Sequence, residues 1–314
     1  MSTATINSRK LAFAFPGVGV RLCGHELAFF ERNKAVMEPL LAQASSRAGY
    51  DLVASLEDES QFADRTELQG QLFTYAFNSA VAAAYRDHGA QPSLLAGHSM
   101  GIYSALFTAG VVSFSVGLEI VAEAYRVVTE ASEGLDAGMA VVVGLGHHEI
   151  DDLISELGDD STVSAVNANN DTTAILAGLR PHLEEALDRA RRRDALKARL
   201  LPVAAPYHHL GLLDGASDTF DRFLARQQWS APSCPIVSSI DQTLLDSAEA
   251  LRELTARNIS TPISWERVVE RLIGSGVELI VECGAGISLQ QNGRLMEGCP
   301  PFVTVRNASR RAGV

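Results

Sequence analysis

The residues best placed to do chemistry lie in one pentapeptide, Gly97-His98-Ser99-Met100-Gly101. A serine hydroxyl becomes a useful nucleophile when a base takes its proton and N–H groups receive the oxyanion formed as it attacks a carbonyl. A GxSxG sequence meets part of this need when it joins a strand to a helix. Glycine on each side permits a turn too tight for a Cβ, and the serine Oγ then stands clear of the sheet at a helix N-terminus. The short run Ser93–Ala96 before it reads as a strand, and an apolar helix is expected from about Ile102. The N–H of Met100 would then serve as an oxyanion donor, helped by the helix dipole. A plain glycine-rich turn with Ser99 as a helix N-cap is the competing reading, and the strand and helix on either side favour the elbow.

The base is sought among eight histidines. The segment Ala205-Pro206-Tyr207-His208-His209 offers two, on a stretch whose backbone Pro206 restrains. His88, His147, His148 and His182 fall in polar helix ends or turns and read as solvated, whereas His98 either lines the pocket or packs. Cys23, Cys234, Cys283 and Cys299 are widely spaced without a CxxC pair, so no metal centre is expected and reduced, cytoplasmic thiols are.

The elements that must position these groups follow from hydrophobic rhythm. Leu11–Phe15 reads as a buried strand ending in the turn Pro16-Gly17-Val18-Gly19, and helices are expected over Glu26 to about Gly49 and Gln69–His88. Between residues 133 and 203 the order becomes strand Gly138–Leu145, helix Glu149–Leu157, strands Ser161–Asn167 and Thr172–Gly178, helix Pro181–Asp194 and strand Lys197–Val203. That βαββαβ order is ferredoxin-like. Helices and strands then alternate again: Gly211–Gln227, Ile236–Ser239, Ser247–Asn258, Trp265–Ser275 and Glu278–Glu282, with a tail expected to fray from Arg306.

Composition sets outer limits. The chain has 314 residues, 46% of them apolar, with a net charge of −12. This apolar content excludes a disordered chain, and without an apolar run of about 18 residues a membrane span is excluded too. The polar N-terminus runs straight into a strand without the apolar stretch of a signal peptide. Net acidity argues against nucleic acid or an anionic membrane as partner.

Three ordered motifs and the insertion carry a family resemblance. Phe15-Pro16-Gly17-Val18-Gly19 resembles the N-terminal Phe-Pro-Gly-Gln-Gly turn of the malonyl-CoA:acyl carrier protein transacylase family, which includes polyketide synthase acyltransferases. Gly97-His98-Ser99-Met100-Gly101 resembles its Gly-His-Ser-Leu-Gly elbow, and Ala205-Pro206-Tyr207-His208 its Pro-x-His segment. The resemblance implies an α/β fold: an α/β-hydrolase-like large subdomain, residues 1–132 and 204–314, with a ferredoxin-like small subdomain, residues 133–203, inserted. It also implies ping-pong acyl transfer through an ester on Ser99, with His208 as base in preference to His209. Backbone N–H groups of Val18 and Met100 would form the oxyanion hole, and a backbone carbonyl near Asn258 would orient the histidine. No cofactor is expected to be bound; phosphopantetheine of an acyl carrier protein, or CoA, would be the substrate arm.

Departures from the family pattern bear on the substrate. Malonyl-selective members carry an arginine 25 residues after the serine; that position here is Ala124. Arg126, two residues on, points about 200° away around a helix. The usual Glu after the elbow is Ile102, the Gln of the first turn is Val18, and Tyr207 occupies a position that shapes the acyl pocket, which His98 also adjoins. The expectation is therefore an acyl group without a free carboxylate, moved to and from acyl carrier protein in polyketide or related biosynthesis. The alternatives are an acyl-carrier-protein hydrolase on the same fold, an ordinary malonyl transferase using another arginine, and a non-catalytic docking relative, against which the intact Ser99 and His208 argue.

Charge suggests where the carrier protein docks. Arg189, Arg191, Arg192, Arg193, Lys197 and Arg199 face only Asp188 and Asp194 between residues 186 and 200, a local net of +4 in an acidic chain. A solvated helix end is the plainer explanation, and a dock for an acidic carrier protein the functional one.

Overall fold

A computed structural model describes residues 9–19 and 21–308. Its larger sheet has six strands: β1 (Leu11–Phe15), β2 (Leu94–Gly97), β7 (Ile236–Val237), β8 (Leu244–Leu245), β10 (Leu279–Glu282) and β11 (Phe302–Val303). Their order is β11-β10-β1-β2-β7-β8, parallel except for β8 against β7. Strand β1 is buried on both faces, as its unbroken apolar run requires. Leu11, Phe13 and Phe15 pack into the core that holds Phe73 and Phe77 of helix α1 (Glu67–Asp87), whereas Ala12 and Ala14 face Trp265, Val268 and Leu272 of helix α7 (Trp265–Gly274). Small residues on one side and large ones on the other set how closely each layer approaches. Strands β1 and β2 end together, Phe15 beside Gly97, which brings the first glycine-rich turn against the elbow.

The smaller sheet has the order β6-β3-β5-β4-β9. Its strands β3 (Ala137–Val143), β4 (Ser164–Asn170), β5 (Thr173–Leu179) and β6 (Lys197–Leu200) pair antiparallel in the ferredoxin-like arrangement. Between the elbow and α7 lie helices α2 (Gly101–Thr108), α3 (Phe114–Ala131), α4 (His147–Ser155), α5 (Arg180–Arg192) and α6 (Ala248–Arg257). Helices α4 and α5 cover one face of the small sheet through Ile150, Leu153, Leu183 and Leu187. The other face carries Met139, Val166 and Ala177, with Tyr207 packed against them, and turns towards the larger subdomain.

Several details depart from the sequence expectations: strands β8 and β11 match no expected element, and the helix expected over Gly211–Gln227 is Ala216–Leu224. The helix anticipated from Glu26 to Gly49 is two, Glu26–Arg32 and Lys34–Ala48, because Asn33 leaves helical geometry and turns its side-chain amide onto the Phe29 carbonyl. The fifth strand of the small sheet, β9 (Ile263–Ser264), comes from far along the chain and pairs in parallel with β4, Asn167 beside Ile263. Two residues carry no readable period, so only assembly reveals this strand. The tail expected to fray begins with a helical turn, Val305–Ala308, and its residues 309–314 lie outside the described residues.

Candidate active site

The elbow is enforced sterically. A Cβ on Gly97 would lie 2.2 Å from the backbone nitrogen of Ile102, and one on Gly101 2.1 Å from the carbonyl oxygen of Phe15. Neither clash can be relieved by a side-chain movement, so only glycine fits at both positions. Between them Ser99 has φ of 53°, a left-handed conformation that a serine adopts only when its surroundings hold it. One such restraint is Asn258, just after α6, whose Nδ2 donates to the Ser99 carbonyl at 3.2 Å while its Oδ1 accepts from the Ser239 hydroxyl at 3.0 Å.

His208 stands opposite, also at positive φ, 63°. Its Nε2 lies 2.8 Å from Ser99 Oγ. For Nε2 to accept the serine proton, Nδ1 must carry the ring hydrogen, and Nδ1 does face an acceptor, the Thr261 carbonyl at 3.2 Å. A carbonyl three residues beyond the Asn258 position expected from the sequence thus joins that of Asn258 beside the ring. Both carbonyls favour imidazolium, that of Thr261 more than that of Asn258. Burial dominates, however. His208 is 3% exposed, and burial, assisted by nearby His98, pulls its pKa down from 6.5 to about 4. The imidazole is therefore neutral, and able to accept a proton, throughout the physiological range.

The sign of this shift sets the pH dependence. A histidine whose folded pKa is below its unfolded value stabilises the fold above pH 6.5 and loses that contribution as pH falls towards 4. The acid limb of kcat/KM is expected near pH 4 rather than 6.5. Initial-rate profiles over pH 3.5–8, restricted by circular dichroism to conditions where the protein is folded, check this; a limb at 6.5 would show a solvated base.

The rival base is otherwise engaged. His209 Nδ1 accepts from the Leu212 N–H at 3.1 Å, so its Nε2 bears the hydrogen and donates to the Thr162 carbonyl at 2.6 Å. Both nitrogens of this buried ring are used in holding the chain.

The expected oxyanion donors lie on two turns. Neither the Met100 N–H nor the Val18 N–H meets an acceptor among the described residues. The first turn lies directly on the elbow: a Cβ on Gly17 would sit 2.8 Å from the His98 carbonyl and 3.3 Å from Ser99 Cβ. Asn78 Nδ2, donating to the Pro16 carbonyl at 2.9 Å, holds that turn in place. Val18 is exposed at its tip.

Around the dyad, His98 donates from Nε2 to Asn169 Oδ1 at 3.0 Å, and Asn167 Nδ2 reaches the same oxygen at 2.7 Å. Asn167 Oδ1 in turn accepts from the Trp265 backbone at 3.2 Å, and the Trp265 ring meets His98 edge-on, centroids 5.5 Å apart. This network ties the elbow to β4 and α7 and gives His98 a packing role. The Tyr207 hydroxyl is spent on Gln71 Nε2 at 2.9 Å and Glu67 Oε1 at 3.1 Å, so the residue contributes a wall rather than a free hydroxyl. Ile102 and Ala124 are buried in the main core. Arg126 binds Glu123 through Nε and Nη2, at 2.8 and 2.6 Å, and Glu130 through Nη1 at 2.6 Å, on the exposed side of α3.

The basic segment divides into two groups. Arg189 pairs with Glu185 at 2.6 Å, Arg191 with Asp188 at 2.6 Å, and Arg193 with Glu156 at 2.6 Å. Arg192 is exposed, with no ion pair among the described residues. Ala198 and Leu200 pack under the helices, so alternation along β6 sends Lys197 and Arg199 to the opposite face. Arg199 there shares a row with Val141, Ile175 and Asn167, the residue that reaches towards His98.

An α/β-hydrolase-like body with an inserted ferredoxin-like unit, presenting a serine on a strained strand-to-helix turn against a buried neutral histidine, defines a class of protein built for acyl transfer. Comparison with known proteins narrows the class. The acyl transferase domain family matches residues 15–294, and the chain belongs to that family. It is 32% identical over 278 residues to the malonyl CoA-acyl carrier protein transacylase of Salmonella typhimurium, covering 88% of this chain and 89% of the relative. It is 31% identical over 280 residues to the polyketide biosynthesis protein ThaF of Burkholderia thailandensis, covering 88% of this chain and 23% of that longer protein. Among solved structures, a malonyl-transacylase in complex with its type II polyketide synthase acyl-carrier protein superposes with a TM-score of 0.85 at 30% identity, covering 94% and 95% of the two chains.

Proposed function

We propose that this acyltransferase moves an acyl group lacking a free carboxylate between a thioester donor and the phosphopantetheine thiol of an acyl carrier protein, in polyketide or related biosynthesis. The observation that carries the chemistry is the 2.8 Å contact between Ser99 Oγ and His208 Nε2, with Nδ1 on a backbone carbonyl. Ser99 Oγ attacks the thioester carbonyl as His208 takes its proton; the oxyanion lies against the N–H groups of Val18 and Met100; the thiolate leaves with the proton from His208. The acceptor thiol reverses these steps on the acyl-Ser99 ester. The substrate reading rests on Ala124, where related malonyl transferases are expected to hold an arginine, and on Arg126, whose guanidinium is occupied by Glu123 and Glu130.

Intact-mass spectrometry tests the whole reading. Protein is offered malonyl-CoA, monocarboxylic acyl-CoAs and acylated carrier protein, with and without an acceptor carrier protein. Adduct formation with a monocarboxylic acyl group, discharged onto the acceptor, is the expected result; release as free acid would show a hydrolase instead.

The same reading assigns carrier-protein docking to Lys197 and Arg199, which have no ion pair among the described residues, on the face turned towards the elbow. Lys197→Glu with Arg199→Glu is expected to raise KM for a carrier-protein substrate about tenfold, in the range of loss of two exposed charge pairs, while leaving a small thioester unaffected. Steady-state kinetics with both substrates at two salt concentrations measure this; equal loss for both would remove the dock.

A further inference from the structure

Three side chains that the acyl-transfer steps do not use converge where the small subdomain meets the large one. His147 opens α4, Asp171 sits in the turn between β4 and β5, and Glu266 is the second residue of α7. One potential ligand atom from each lies within 4.8 Å of the other two, and His147 Nε2 is 2.8 Å from Glu266 Oε2. His147 and Asp171 are exposed, but Glu266 is 8% exposed.

Glu266 is set apart by how its charge is met. The other buried glutamates collect backbone N–H donors: Glu26 from Cys23, His25 and Gly286, and Glu282 from Leu289 and Gln290. The Glu266 carboxyl receives no backbone N–H among the described residues; its neighbours are one imidazole and a second acid, Asp171. Two carboxylates so close, one of them buried, share either a proton or a cation.

We infer that His147, Asp171 and Glu266 form a divalent-cation site, best suited to Zn2+, that clamps the ferredoxin-like subdomain to α7 beside the elbow. One imidazole and two carboxylates suit a borderline first-row cation better than Mg2+ or Ca2+, which favour oxygen ligands throughout. Tetrahedral zinc with ligands at about 2.0–2.2 Å sets its ligand atoms roughly 3.3 Å apart, within reach of this cluster by small side-chain rotations. The two exposed ligands leave a side open for water as fourth ligand. Binding would release the proton or protons shared by the carboxyl groups and leave all three ligands deprotonated. Its structural consequence passes through Trp265, adjacent to Glu266, whose ring packs on His98.

The test uses the full chain freed of metal by chelator and dialysed. Zinc chloride is titrated by calorimetry and by competition with a chromophoric chelator, and the thermal midpoint is followed with and without zinc. One equivalent bound, a raised midpoint, and affinity lower by about tenfold or more in Asp171→Asn and Glu266→Gln are expected. His148→Gln, next to the site but outside it, should bind as the parent does. Asp171 is exposed, so Asp171→Asn keeps the test decisive if Glu266→Gln folds poorly. Failure of the parent to bind zinc, or equal binding by Asp171→Asn, would overturn the site and show that a proton alone holds the acids together. Neither result depends on whether Ser99 is acylated.

Discussion

Ser99→Ala is expected to abolish the acyl-enzyme adduct altogether, and His208→Ala to slow its formation by about 10²–10⁴, the usual worth of a positioned general base. The two differ because the serine oxygen becomes part of the intermediate, whereas bulk water can partly replace a lost base. Alanine at position 99 keeps the Cβ, and the backbone restraint from Asn258 acts on the carbonyl, so the elbow should persist without its hydroxyl. Intact-mass spectrometry after mixing with an acyl thioester, with circular dichroism to verify folding, measures both effects. An adduct surviving in Ser99→Ala would place the nucleophile elsewhere.

The second large effect concerns the donor. A carboxylate enclosed without a partner costs about 3–5 kcal/mol. Converted at 1.36 kcal/mol per decade, this predicts kcat/KM for a malonyl thioester roughly 10²–10⁴ below that for a monocarboxylic thioester of similar length. Ala124 is buried among apolar neighbours on α3, while Arg126, two residues away, is held outside by Glu123 and Glu130. Competition between the two donors, read by mass of the Ser99 adduct, gives the ratio directly. Comparable rates would mean that another cation enters the pocket.

Much of the scaffold was legible before assembly. Leu11–Phe15 is a five-residue apolar run because both its faces are covered, and it forms the strand as read. The GxSxG pentapeptide was legible for a similar reason, since its glycines answer to contacts made within the turn or with the adjacent strand. Less legible was the break at Asn33, where a polar side chain redirects a helix whose apolar rhythm continues on both sides. The strand β9 was invisible, because two residues show no period and their partner is about a hundred positions earlier.

The site divides the same way. Which residues could act as nucleophile and base, and the absence of an arginine at position 124, were determined by the sequence, because residue type and local turn geometry decide them. Three further matters depend on tertiary structure. His209 has both nitrogens occupied by Leu212 and Thr162; the Thr261 carbonyl, in hydrogen-bond distance of His208 Nδ1, joins that of Asn258 in favouring the charged ring; and Glu156, from a different element, pairs with Arg193 of the basic segment. His147 is exposed, as read, but folding brings Glu266, 119 positions away, within 2.8 Å of it. Hydrogen bonds and charge pairs act over a few ångströms in space, and separation along the chain carries no information about them once the chain has folded.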